Sequence, residues 1–212
     1  MTKIKLCGLS RSCDIEAANA LQPEYIGFVF APKSRRYVSM EQAAALKKLL
    51  SPAVKAVGVF VNENPETIAA YLEAGIIDIA QLHGGESESY IRQLRSLTDK
   101  PLIRAFRIDT EQDIEAANES SAGYVLLDSG EGGTGTAFDW HLLKRIRRPY
   151  FLAGGLTVHN AANAVRTLAP YAVDVSSGIE TDGCKDRNKM KAFVNAVRSV
   201  YQCSSQEMKH KI

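Results

Sequence analysis

Short runs of β-branched and aromatic residues alternate with longer amphipathic segments along the whole chain, a rhythm that buries parallel strands beneath a layer of helices. Eight such units are countable. The strand candidates are Ile4 to Gly8, Tyr25 to Phe30, Val54 to Phe60, Ile77 to Leu82, Leu102 to Arg107, Tyr124 to Leu127, Tyr150 to Ala153 and Ala172 to Val175. Helix starts are signalled by Ser39 before Met40 to Leu50, by Asn64-Pro65 before Glu66 to Ala74, and by Ser87 before Glu88 to Leu97. Asp109 or Thr110 caps a fifth helix, Asp139 and Asn160 cap a sixth and seventh, and an eighth runs from about Arg187 to Tyr201.

Eight units favour a closed, single-domain α/β architecture, the (β/α)8 TIM barrel, over residues 1–203, with a polar, uncapped tail at 204–212 expected to fray. An open doubly wound sheet is the alternative, because counting units does not establish closure. No Pro/Gly/Ser-rich linker or composition shift offers a second domain a place to begin. A length of 212 residues with 45% hydrophobic content suits one sizeable core.

The balance of 26 Lys plus Arg against 24 Asp plus Glu, a net charge of +2, gives no field that would favour nucleic acid or a membrane surface. Cys7, Cys13, Cys184 and Cys203 form no C-x-x-C pair and have no His neighbours at zinc-ligand spacing, so the expectation is reduced thiols and no metal. The N-terminus lacks an apolar signal core, and no apolar run approaches the ~20 residues that span a bilayer, so a cytoplasmic location is expected. Monomer and homodimer are both compatible with the pattern.

A barrel of this kind carries its chemistry at the C-terminal ends of the strands. Those ends are polar or glycine-rich here: Lys5-Leu6-Cys7-Gly8, Ser34-Arg35-Arg36-Tyr37, Val61-Asn62, Gln81-Leu82-His83-Gly84, Arg107, Leu127-Asp128-Ser129, Ala153-Gly154-Gly155-Leu156 and Asp174-Val175-Ser176-Ser177-Gly178. Together with Gly-Phe-Val-Phe at 27–30, Gly58-Val59-Phe60-Val61-Asn62, Gly132-Gly133-Thr134-Gly135 and Phe138-Asp139-Trp140, this ordered set resembles the phosphoribosylanthranilate isomerase family, from Lys5 to about Phe193.

The resemblance implies a cofactor-free Amadori rearrangement, the third step of tryptophan synthesis from chorismate. N-(5-phosphoribosyl)anthranilate, a small phosphorylated aminosugar, becomes 1-(2-carboxyphenylamino)-1-deoxyribulose 5-phosphate. That reaction asks for an acid to protonate the furanose ring oxygen and a base to take the proton from sugar C2. Cys7, ending the first strand, is the base candidate, and by strand parity Lys5 shares its face and is expected to lower its pKa. A small buried hydrophobe is the plainer role for a thiol there. Asp128, placed after a buried apolar strand, is the acid candidate, its proton held by apolar surroundings, with the 132–135 glycine loop, Gly133 included, approaching the ligand.

The resemblance also sets Arg36 on the anthranilate carboxylate, which a guanidinium grips in two places; Arg35 beside it is the competing choice. Gly154, Gly155, Ser177 and Gly178, after the last two strands, form the expected phosphate site. His83 suits either substrate contact or a structural hydrogen bond, and Gln81 is similar. Asp174 shares parity with Ser176 and points toward Lys5 if the barrel closes, as an ion pair or as a polarising group. The rival functions are another sugar-phosphate isomerase and a barrel that binds phosphorylated ligands without turning them over.

Overall fold

The computed structural model describes residues 1–128 and 140–207. Strands β1 (Lys3–Cys7), β2 (Tyr25–Val29), β3 (Lys55–Phe60), β4 (Ile79–Leu82), β5 (Leu102–Arg107), β6 (Tyr124–Asp128), β7 (Tyr150–Ala153) and β8 (Ala172–Val175) pair in parallel and in sequence order. Pairing of β1 with β8, Lys5 opposite Asp174, closes the barrel and excludes the open sheet. The helices are α1 (Ser12–Leu21), α2 (Met40–Leu49), α3 (Pro65–Glu73), α4 (Glu88–Leu97), α5 (Glu111–Glu119), α6 (Trp140–Leu143), α7 (Ala161–Leu168) and α8 (Arg187–Glu207).

Several helix starts follow the expected chemistry. Ser39, Asn64 and Ser87 each accept a backbone N–H of the first turn of α2, α3 and α4. Thr110 stands at the N-cap of α5, where the Asp113 carboxylate reaches back to the amides of Asp109 and Thr110. Asn160 departs from expectation: its side chain caps no α7 amide but accepts from the Thr157 N–H and donates to the Gly155 carbonyl. Helix α1 carries no Ser, Thr, Asn or Asp at its N-cap; Arg11 holds that place, and Asp14 supplies the acceptor for the Ser10 and Arg11 amides. Helix α8 continues through Glu207, where fraying from Ser204 was expected. The Asp139 cap lies outside the described residues.

Strand parity sorts the side chains into two cores. Outward residues such as Ile4, Leu6, Ile26, Phe28, Leu102, Val125 and Leu152 pack beneath the helices. Inward residues fill the barrel: Tyr25, Val57, Ile79, Ile103, Leu126, Phe151 and Ala172, with Cys7, Val29 and Val59 above them. Phe151 is the centre of the lower plug, its ring 5.4 Å from Tyr25, 5.9 Å from Tyr124 and 5.6 Å from Tyr171. Among the described residues no helix is long and apolar enough to cross a membrane.

Phe151 is fully buried inside a ring of strands that cannot collapse around a gap. Phe151→Ala is therefore expected to cost about 3–5 kcal/mol of stability, read from the urea midpoint, with little change in far-UV circular dichroism.

Candidate active site

A cavity of about 400 Å³ opens at the C-terminal end of the barrel. Its wall includes Cys7, Arg36, His83, Asp128, Gly154, Gly155 and Ser177, so residues 170 positions apart in the chain meet in one place. Gly178 is not on that wall. It packs against the Leu156 carbonyl, where an added Cβ would lie 1.9 Å from the oxygen, which requires glycine for close chain passage. Gly133 lies outside the described residues.

Beneath the cavity floor, Lys5 donates to both oxygens of Asp174 at 3.0 Å each, and its side chain is entirely buried. Burial disfavours the ammonium, but Asp174 beside it prevails and holds Lys5 above its ordinary pKa. Cys7 sits directly above. Burial pushes the thiol up, Lys5 pulls it down, and the net direction is upward. The expected lowering by Lys5 is thus present but outweighed, since Lys5 shares its charge with Asp174 while the thiolate loses nearly all its water.

Asp128 ends β6 at the lip, its side chain 32% exposed, with Oδ2 3.7 Å from His83 Nε2. Asp128 shares the cavity wall with apolar side chains such as Val59, Val61 and Leu156, and a histidine faces its carboxyl. His83 Nδ1 lies 2.8 Å from Gln81 Nε2, which orients the ring, while the buried Gln81 Oε1 has no partner among the described residues.

Arg36 is drawn to the cavity wall by Glu180, which accepts from Arg36 Nε at 2.6 Å and Nη2 at 2.9 Å. Arg35 Nη2 reaches the same carboxylate at 2.9 Å, but its side chain is 63% exposed and stays off the wall. Lys185 completes the cluster, donating to Glu180 Oε1 at 2.6 Å and to the Ser176 carbonyl at 2.9 Å. Burial pushes the Glu180 carboxyl up, yet its hydrogen bonds from Arg36 and Lys185 pull it down to about 2. Burial leaves Lys185 below its ordinary value despite Glu180.

Neither Glu180 nor Lys185 stood out among the strand ends. Both belong to a small antiparallel hairpin after β8, β9 (Glu180–Thr181) and β10 (Cys184–Lys185), whose register sets them opposite each other. Its two turn residues, Asp182 and Gly183, both have positive φ, so the Asp-Gly hairpin signature marks it in the sequence. Among the described residues no group of three or more His, Cys, Asp and Glu side chains is placed to hold a metal ion.

The sequence profile of the N-(5'-phosphoribosyl)anthranilate (PRA) isomerase family matches residues 4–196. The chain belongs to that family. A relative named N-(5'-phosphoribosyl)anthranilate isomerase, from Endomicrobium trichonymphae, is 44% identical over 204 residues, spanning 94% of this chain and all of the relative. The crystal structure of phosphoribosyl anthranilate isomerase from Thermotoga maritima superposes with a TM-score of 0.86 at 36% identity, covering 94% of this chain and all of that one. A second isomerase structure, in complex with reduced 1-(o-carboxyphenylamino)-1-deoxyribulose 5-phosphate, gives a TM-score of 0.84 at 35% identity over the same shares of the two chains. Family membership makes the chain an isomerase and fits the closed barrel.

Removing the Lys5 charge leaves Asp174 buried and unpaired beneath the thiol. Lys5→Met is expected to cost about 3–5 kcal/mol in denaturant titration. It should also raise the Cys7 pKa further, seen as slower alkylation of Cys7 at fixed pH, because the largest of the downward pulls is gone and only that of Lys185 is left.

Proposed function

We propose that the cavity converts N-(5'-phosphoribosyl)anthranilate to 1-(2-carboxyphenylamino)-1-deoxyribulose 5-phosphate in tryptophan biosynthesis, with Asp128 as general acid and Cys7 as general base. The observation that carries this reading is that a thiol from β1 and a carboxyl from β6 line one cavity whose wall also holds Arg36. The barrel domain's free thiols at Cys7, Cys13 and Cys184 suit the cytoplasm, its proposed location.

In this mechanism Asp128 gives its proton to the ring oxygen as the C1–O bond breaks, and the nitrogen lone pair forms a C1=N⁺ iminium. Cys7, as thiolate, removes the proton from C2. The C–H electrons then form the C1=C2 bond, neutralise the nitrogen and leave an enolamine. Proton transfer from the C2 hydroxyl and to C1 completes the ketone, with no net gain or loss of atoms or electrons.

A thiol held high by burial is a weak acid but a strong base once ionised. The cationic iminium forming beside it favours the thiolate when it is needed. His83 faces the Asp128 carboxyl and steadies the acid; Gln81 offers a buried acceptor suited to a sugar hydroxyl. Gly154 and Gly155, at φ 86° and 60°, bring bare backbone to the wall beside Ser177, a setting suited to the phosphate.

The test is an assay of purified protein with phosphoribosylanthranilate, without added metal or nucleotide, against spontaneous breakdown. Acceleration is expected, and its absence overturns the reading. Cys7→Ser and Asp128→Asn are each expected to lower kcat by roughly 10²–10⁴-fold while retaining affinity for the reduced product analogue. Near-normal turnover in either variant removes that residue from its role.

The pH profile carries a sign. Because the free enzyme's thiol lies above its ordinary value, kcat/KM should keep rising as pH passes the usual thiol pKa of about 8.5. The corresponding limb of kcat should lie lower, since bound cationic intermediate favours the thiolate. A kcat/KM plateau well below that pH contradicts the assignment.

A further inference from the structure

We propose that Glu180 is a positioning residue that clamps Arg36 side-on and turns the remaining edge of its guanidinium toward the aromatic carboxylate of the substrate. This rests on the substrate reading above and assigns the part of that reading which selects an anthranilate over an uncharged arylamine.

The geometry of the guanidinium carries the inference. Five N–H groups radiate in a plane, and Glu180 takes one from Nε and one from Nη2, the side-on pair. What that leaves toward the ligand is the end-on pair, one proton each on Nη1 and Nη2, which matches a planar carboxylate in two parallel bonds. Arg36 is thereby committed on one edge and presented on another.

The clamp is itself rigid. Glu180 is 9% exposed and lies on a hairpin tied across by Lys185, whose ammonium also bonds the carbonyl of Ser176 at the end of β8. On the other side, the Arg36 stem lies over Gly8, where an added Cβ would come 2.5 Å from Arg36 Cδ. Gly8 has φ 79°, so glycine both permits the backbone there and clears the path of the arginine. The Arg36 amide donates to Ser34 Oγ, fixing its loop.

Charge arithmetic explains why a carboxylate can be used without spoiling the site for an anion. Arg35, Arg36 and Lys185 bring three positive charges to the one negative charge of Glu180, leaving a net of +2 at this corner. An unclamped arginine on a loop would have to surrender its rotamer freedom on binding; here that ordering is complete before the ligand arrives.

The experiment compares two ligands by calorimetry: reduced 1-(2-carboxyphenylamino)-1-deoxyribulose 5-phosphate, and the same compound without the carboxyl group. The wild-type protein is expected to prefer the first by roughly tenfold or more. Glu180→Gln should remove most of that preference while affinity for the carboxyl-free compound stays within about twofold. In turnover, KM rises and kcat is largely retained.

Glu180→Asp, which keeps the charge but retracts it from Arg36, should also lose preference. It supplies the same readout if the glutamine variant does not fold. In an Arg36→Ala background, Glu180→Gln should change the preference no further. Equal weakening of both ligands, or an unchanged preference in the Glu180 variants, overturns the proposal and leaves Glu180 a structural residue. A wild-type protein that binds the carboxyl-free compound but shows no preference overturns the role given to Arg36, and the clamp with it. Wild-type protein that binds neither compound overturns the substrate reading itself.

Discussion

The buried ion pair between Lys5 and Asp174 lies where β1 meets β8, so the two charges are brought together only when the barrel closes. Either charge alone in that interior would carry a heavy desolvation cost, and their attraction together with two 3.0 Å hydrogen bonds offsets it. Closure and neutralisation are therefore one event. The same pair forms the floor beneath Cys7, which ties the stability of the seam to the electrostatics of the proposed base.

Two opposing demands meet at that floor. A base that must abstract a carbon-bound proton benefits from being poorly solvated, and burial supplies this by raising the thiol. The buried lysine keeps the thiolate within reach by opposing the burial effect without cancelling it. Across the mouth, Asp128 stays partly open beside His83. The thiol and the carboxyl thus stand in different settings, one enclosed and one at the lip. The cationic corner built on Glu180 adds a third setting, where a strongly ionised carboxylate organises arginine and lysine rather than reacting.

Much of this was legible along the chain. Parity placed Lys5 with Cys7 and suggested the partnership of Lys5 with Asp174. Leu102 to Arg107 and Tyr150 to Ala153 had the bounds of real strands: the second is a short apolar run buried on both faces, and the first opens on the buried pair Leu102 and Ile103 directly after Pro101, which marks its start. Helix α1 was harder to read, since Asp14 in its first turn does the work usually given to an N-cap residue. The continuation of α8 past Tyr201 was also missed, because the polar Ser204 to Glu207 stretch carries no apolar period to announce a helix.

By itself the sequence determined the alternation of strands and helices, the face each strand residue occupies and the set of polar groups gathered at the strand ends, because these follow from local periodicity and turn chemistry. Only the tertiary structure decided that the sheet closes, that burial outweighs Lys5 at Cys7, that Arg36 rather than Arg35 reaches the cavity wall, and that Gly178 serves packing. It also brought Glu180 and Lys185 to Arg36 from more than 140 residues away. Desolvation, competition between neighbouring charges and contacts between remote segments depend on distances in three dimensions, and no spacing along the chain encodes them.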